Sequence, residues 1–440
     1  MKYEAIKKNK QILKSISISL LLKPVSMLIS LLFTPIFLNF MGQEQYGVWQ
    51  TLMSIMNWIT VFDFGINGGL TLVLTAAIVE KNEEEIKKVI ATAYGLVSII
   101  FCISYLIIIV LCIVCNWQTL LNTTVPVKFS VLIVATYICL SFVFSLTNSI
   151  FSANQKAEGV TILQTVIQFM NLLNVYFIAK LCSNYSNKLF IASCIYFFDG
   201  VIVNVIVLMI IWYKKRIFKP KLSFFDKNKI KELTSVGLKI FFIQIAGLIL
   251  FMTDNLIISN LYTPNEVTPY SITYNMFNLF YIIFIAILQP MWSKYTMEKE
   301  KNNFKWIKKS IFLQLGIYIL FLFGIFFAIF IFKPFSIFWL KRDLNIPINL
   351  ILIIGIYNAI LIFTCIFQTV INGTGNLNYC LVTSLIGAII NIPLSFFFAK
   401  NLNLGLTGIA LGTVVSLLPA AIVLPIETFK YLNKKIKISV

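Results

Sequence analysis

The chain of 440 residues contains no histidine, and Asp, Glu, Lys and Arg together make up only 12% of it. Without histidine it lacks the side chain most used for proton transfer near neutral pH and the commonest metal-binding imidazole. No G-x-x-x-x-G-K-[ST] loop is present to cradle a nucleotide phosphate, and there is no Asp-x-Asp pair of the kind that metal-dependent glycosyltransferases use. Eight cysteines (Cys102, Cys112, Cys115, Cys139, Cys182, Cys194, Cys365 and Cys380) all fall in or beside apolar runs. Cys112 and Cys115 form a C-x-x-C, yet inside an apolar run with no second pair to complete a metal site. They read as small residues of a core or of a lipid-facing surface.

What the chain has in abundance is apolar side chains. Hydrophobic residues make up 59% of the sequence and the mean hydropathy is +0.89. A water-soluble domain needs far more polar surface than that, so lipid is the solvent. A span needs roughly 20 apolar residues to cross about 30 Å of hydrocarbon, with every backbone polar group satisfied inside the segment. The apolar runs show no strand alternation, which leaves helices. Breaks between runs place candidate spans near 15–39, 47–78, 90–115, 129–153, 160–181 and 189–213. A second set follows near 233–262, 269–292, 310–333, 347–371, 378–399 and 405–428. The first run follows basic residues, as in a signal peptide, but continues past Leu38 with no small-residue cleavage site, so it reads as a retained span.

The formal net charge of +19 is spread through the short segments between runs and forms no continuous basic domain, which argues against nucleic acid as a partner. It reports topology instead. Of the 36 Lys and Arg residues, 27 fall on one side of the span map and seven on the other, with Lys23 and Lys239 inside spans. Cytoplasmic loops are enriched in these residues, so both termini and the basic stretch from Lys214 to Lys231 are expected in the cytoplasm.

That stretch divides six spans from six. At an offset of about 220 residues, taken as a repeat period, Asn39 falls on Asn260, Lys87 and Lys88 on Lys308 and Lys309, and Asn171 on Asn391. Six is even, so both halves start from the same side and the repeat is parallel. The expected fold is an all-α polytopic membrane protein of about 12 transmembrane helices. They form two six-helix bundles related by a pseudo-two-fold axis along the membrane normal, around a central cleft. Residues 1–213 would form one bundle, 214–232 a basic cytoplasmic linker, and 233–440 the other.

Three local patterns resemble the Wzx-type oligosaccharide flippases of the multidrug/oligosaccharidyl-lipid/polysaccharide exporter superfamily. They are Gly42–Trp49 (GQEQYGVW), Asp63–Leu70 (DFGINGGL) and the acidic-then-basic Glu80–Ile90 (EKNEEEIKKVI). The resemblance extends in order and span number over nearly the whole chain. It implies an exporter that passes an undecaprenyl-pyrophosphate-linked oligosaccharide, as for O-antigen or another surface polysaccharide, to the outer leaflet of a bacterial inner membrane. It also implies loose association with polysaccharide polymerase and chain-length proteins. No cofactor is expected, and coupling to a proton or cation gradient stays open.

Ionisable groups inside spans cost roughly 2.5–3.5 kcal/mol on insertion scales and therefore face cavities or partners. Lys23, Asp63, Asp199 and Asp254 are such groups. Ser15, Ser19, Lys23, Ser26 and Ser30 recur at three- and four-residue intervals and so share one helix stripe. Thr60, Asp63, Asn67 and Thr71 make a second, and Ser271, Tyr274, Asn278 and Tyr281 a third. A pyrophosphate crossing low dielectric needs a cation, for which Lys23 is placed mid-span. Asp63 would pair with it or bind sugar hydroxyls, and Asn67, Asn255 and Asn278 would add polar contacts. Lys239 lies near a span end, where snorkelling to the surface is the plainer reading. Asp254 invites a role in proton or cation antiport. The alternative for the whole set is interhelical glue.

Two other functions compete. A membrane-embedded polysaccharide polymerase or ligase would resemble its kind in having a large outer loop, whereas the outer loops here are short. A drug or cation exporter of the same superfamily shares the fold, and fold does not fix function.

Overall fold

The computed structural model describes residues 2–60, 64–154, 156–181, 185–375 and 378–438; its account of side chains leaves out 2–17, 19–20, 235–244 and some single positions. Among the described residues every regular element is a helix. The first part of the chain gives α1 (Lys2–Met41), α2 (Gln43–Ile59), α3 (Ile66–Val79), α4 (Glu83–Val114), the single turn α5 (Trp117–Leu120), α6 (Lys128–Ala153), α7 (Ala157–Leu181) and α8 (Lys188–Lys214). Two 3-10 turns lead into α9 (Lys227–Met252), followed by α10 (Asp254–Leu261), α11 (Pro264–Glu300), α12 (Phe304–Leu340) and α13 (Ile348–Thr374). The chain closes with α14 (Asn378–Phe396), a π-helical turn over Phe397–Asn401, and α15 (Gly405–Ile438).

Ten of the described helices are long and apolar enough to cross a membrane, with two shorter apolar stretches at Ile66–Ile78 and Gly247–Leu261. The structure thus departs from twelve uninterrupted spans at two places. The expected run 47–78 is divided between α2 and α3, because Gly65 takes a φ of 72°, a left-handed conformation that a right-handed helix cannot continue through. The expected run 233–262 is divided between α9 and α10 at Thr253.

Two compact units result, Met1–Gln244 and Ile245–Val440, and their boundary falls within α9. In the first, α6 is the central helix, with Val131, Val134, Ala135, Cys139 and Leu146 fully enclosed. Leu70, Leu74, Val89 and Ile90 of α3 and α4 pack on Leu146 and Ile150 in one apolar cluster, which also takes in Phe218 and Leu233. The basic segment after α8 is therefore fastened to this unit. Asp226 exchanges hydrogen bonds with Thr92, its N–H donating to Oγ1 at 3.0 Å, and Lys229 forms an ion pair with Glu85. Gly69 is needed at the crossing of α3 and α9, since a Cβ there would overlap the Leu233 carbonyl.

In the second unit α13 is central. Tyr357, Asn358, Ile362 and Ile366 are buried, and the helix packs against α11, α12 and α15. Helix α12 instead presents Phe312, Phe323, Phe326 and Phe330 outward. An exposed row of this size is unusual in water and ordinary against hydrocarbon.

The patterns singled out in the sequence do structural work. Gln45 ties the start of α2 to the start of α8, accepting from the Leu189 N–H at 2.9 Å and donating to the Ser186 carbonyl at 3.0 Å. Asn82 caps α4 by accepting from the Glu85 N–H at 3.1 Å, with three glutamates in the first turn where the helix dipole favours negative charge.

Candidate functional site

The most developed buried polar network lies in the second unit, around Asp254. The break at Thr253 places Asp254 at the first position of α10, 7% exposed. The Tyr270 phenol of α11 donates to Asp254 Oδ2 at 2.5 Å, and the Thr413 hydroxyl of α15 donates to the same oxygen at 3.1 Å. Behind Thr413, Asn391 of α14 donates from Nδ2 to Thr413 Oγ1 at 3.2 Å. Thr253 donates to Asn391 Oδ1, also at 3.2 Å. The result is a relay from Thr253 through Asn391 and Thr413 to the carboxyl group, joining α9, α10, α11, α14 and α15.

The carboxyl group is held by these fixed hydroxyls, and no cation lies within ion-pair range of it among the described residues. Next to it, Ser271 donates to Asn255 Oδ1 at 3.0 Å. On the following turn of α11 the rings of Tyr274 and Tyr357 lie 5.8 Å apart, and Asn278 is half-buried one turn further on.

The first unit carries separate polar groups. Lys23 is half-buried on α1, directly before Pro24. One turn along its stripe, the hydroxyls of Ser26 and Thr165 pair at 2.7 Å and join α1 to α7. Ser30, a further turn along, lines a cavity of about 200 Å³ together with Gln168, Asn171 and Tyr196. The stripe is therefore glue at one level and cavity lining at the next.

Asn67 sits on α3 against α6. It donates to Ser145 Oγ at 2.8 Å, while Ser149 donates to its backbone carbonyl at 3.0 Å. Asp199 of α8 is buried and accepts from Asn174 Nδ2 of α7 at 2.6 Å; its other oxygen has no hydrogen-bond partner among the described residues. Asp63 lies outside the described residues, as do the side chains of Ser15, Ser19 and Lys239. No group of three or more Cys, Asp or Glu side chains suited to a metal ion occurs among the described residues.

Sequence reasoning picked out Asp254 but missed Tyr270, Thr413 and Thr253, which look unremarkable in apolar runs. One signal was available: Asn391 falls on Asn171 in the repeat comparison. Asn171 lines the cavity of the first unit, and Asn391 is the middle of the relay in the second.

Residues 12–296 match the family model for "Polysaccharide biosynthesis protein", and residues 239–397 match the MatE model. The chain is 22% identical over 393 residues to a candidate O-antigen transporter of Salmonella typhimurium, across 86% of this chain and 87% of that one. It is 23% identical over 413 residues to a candidate O-antigen export protein of Yersinia pseudotuberculosis, across 90% of each. In fold it resembles the inward-facing conformation of a multidrug resistance MATE family transporter of the MOP superfamily, with a TM-score of 0.79 at 14% identity, covering 97% of this chain and 100% of that one. The outward-facing conformation of such a transporter gives a TM-score of 0.69 at 14% identity, covering 97% and 96%.

Proposed function

Because the chain belongs to the polysaccharide biosynthesis protein family, with the MATE-like fold of the MOP superfamily, we propose that it moves undecaprenyl-pyrophosphate-linked oligosaccharide repeat units of O-antigen or a related surface polysaccharide across a bacterial inner membrane. The units pass from the cytoplasmic to the outer leaflet by alternating access. The observation that carries this reading is the extent of the match to O-antigen transport proteins: 86–90% of this chain aligns with 87–90% of theirs, so the whole architecture is shared and not one module. The likeness to multidrug transporters bears on fold alone.

In this reading the chain makes twelve crossings, in two six-helix bundles with both termini cytoplasmic. α2 with α3 serves as one crossing and α9 with α10 as another. The lysine and arginine asymmetry supports that orientation. Lys23 contacts the pyrophosphate, because an ammonium held within an apolar span stabilises a phosphate group where water cannot. The polar side chains near it on α1 receive the first sugar, and polymerase and chain-length proteins take up the unit on the far side.

The test is complementation of a flippase-null strain that carries the matching sugar cluster. Restored surface polysaccharide supports the proposal. If lipid-linked units accumulate in the cytoplasmic leaflet while the protein is present in the membrane, the proposal is wrong.

A further inference from the structure

A groove of about 610 Å³ opens in the first unit where the C-terminal end of α6 meets the first turns of α7 and the last turns of α8. Its wall is apolar, built from side chains such as Leu163, Val203 and Val207. Ile162, Val166 and Ile210 also line it and are 42–46% exposed, so the wall runs on without a polar boundary onto the outer faces of α7 and α8. On two membrane-spanning helices that face meets hydrocarbon.

The mouth is different in kind. Lys156, Lys214 and Lys215 stand around it with one carboxylate, Glu158, which leaves an excess of two positive charges. None of the three lysines has a carboxylate in ion-pair range among the described residues. Lys215 is oriented by its own contacts, donating to Asn154 Oδ1 at 3.2 Å with its ammonium 5.3 Å from the Phe218 ring centre. Partial burial and the neighbouring Lys156 charge both hold the Lys215 ammonium below the usual lysine pKa, so an anion between the two would relieve a repulsion already present. The lysine balance assigns this end of the helices to the cytoplasm, at the level where the phosphates of that leaflet lie.

We propose that this groove binds one anionic phospholipid of the cytoplasmic leaflet, its phosphate held by Lys156, Lys214 and Lys215 and one acyl chain laid along the wall between α7 and α8. The match is of two kinds at once: net positive charge at headgroup depth, and an apolar channel continuous with the bilayer. A groove open sideways to the leaflet fills by mass action with the anionic amphiphile most available there, and that is phospholipid, not the scarcer carrier lipid. The bound lipid then wedges the ends of α6, α7 and α8 and neutralises the base of the basic segment that follows.

The full-length protein, purified in detergent and titrated with phosphatidylglycerol or phosphatidylcholine of matched chains, tests this by native mass spectrometry. Phosphatidylglycerol should remain bound where phosphatidylcholine does not. Each of Lys156→Ala and Lys215→Ala should weaken that binding about five-fold, from roughly 1 kcal/mol per lysine near a charged headgroup. Both positions are exposed, so the variants retain the fold. Val166→Trp, which fills the wall and leaves the charge unchanged, should weaken it as well. Equal retention of the two lipids, or wild-type binding by the lysine and tryptophan variants, overturns the proposal. Displacement of phosphatidylglycerol by an equimolar polyprenyl diphosphate overturns it too, and would assign the groove to the transported lipid. None of these readouts measures transport, so they stand or fall apart from the flippase reading.

Discussion

Tyr270 and Asp254 lie sixteen residues apart in sequence and meet at 2.5 Å, phenol to carboxyl, where α11 passes the break between α9 and α10. The bond replaces water around a carboxyl group that membrane insertion would otherwise penalise. If both partners act as a unit, their removal is not additive. Tyr270→Phe and Asp254→Asn should each lower the thermal midpoint in detergent, and the double variant should lose less than the sum. The expected coupling is about 1–2 kcal/mol, above the average interhelical hydrogen bond in membranes because one partner can carry charge. A coupling within error of zero would mean that the two groups are merely adjacent.

Thr413→Val should interrupt the relay between Asn391 and Asp254 while keeping side-chain volume. It leaves the Asn391 amide buried without its hydroxyl acceptor, at a cost of about 1–3 kcal/mol. Thr413→Ser keeps the hydroxyl and should stay near wild type. The same melting measurement separates the two.

Gly69→Ala should be among the most damaging small substitutions in the chain. The added methyl meets the backbone carbonyl of Leu233, which cannot rotate away as a side chain could. Overpacking of this kind costs about 1–3 kcal/mol. Gly316→Ala, where a Cβ meets nothing, should be neutral or slightly stabilising within α12. The yield of monodisperse protein after extraction is the readout, and equal yields for the two would contradict the crossing of α3 and α9.

Lys229 is held above the ordinary lysine range, first by its hydrogen bond to Glu85 and then by Glu232. A raised lysine pKa stabilises the fold fully below the unfolded value of roughly 10.4 and loses that contribution as pH rises through the folded value. The lysine's contribution is therefore constant through the neutral range and falls away in strong alkali. Being partly exposed, it contributes no more than about 1 kcal/mol. Lys229→Glu should lower the melting midpoint slightly near neutral pH, and adding Glu85→Lys should restore it.

The sequence made the helices legible because each buries or exposes a continuous apolar run. The expected 129–153, 189–213 and 347–371 differ by only a few residues from α6, α8 and α13. It hid the two breaks, since hydropathy averages over a residue whose backbone alone is unusual: Gly65 turns left-handed inside a run whose mean is still apolar. It also understated α11, whose polar ends extend the helix past the apolar part, and α12, which begins in a polar turn and runs on through Pro334 to Leu340. In the site, Asp254 stood out because a carboxylate in a span is costly wherever it points. Its partners did not. Thr413 lies 159 residues away and Asn391 lies 138 residues from Thr253, so only the packing of α14 and α15 brings them together. On the α1 stripe, only the fold reveals that Ser26 is spent on Thr165 while Ser30 borders a cavity.

The central claim is movement of a lipid-linked oligosaccharide, and it is tested most directly in proteoliposomes loaded with the lipid-linked repeat unit. A membrane-impermeant probe of the sugar reads how much of the unit is accessible from outside. Wild-type protein should make the units of both leaflets accessible, Lys23→Arg should retain most of that activity, and Lys23→Ala at equal incorporation should lose it. If wild-type protein leaves accessibility at the level of protein-free vesicles, under an imposed proton or cation gradient as well as without one, the account is contradicted.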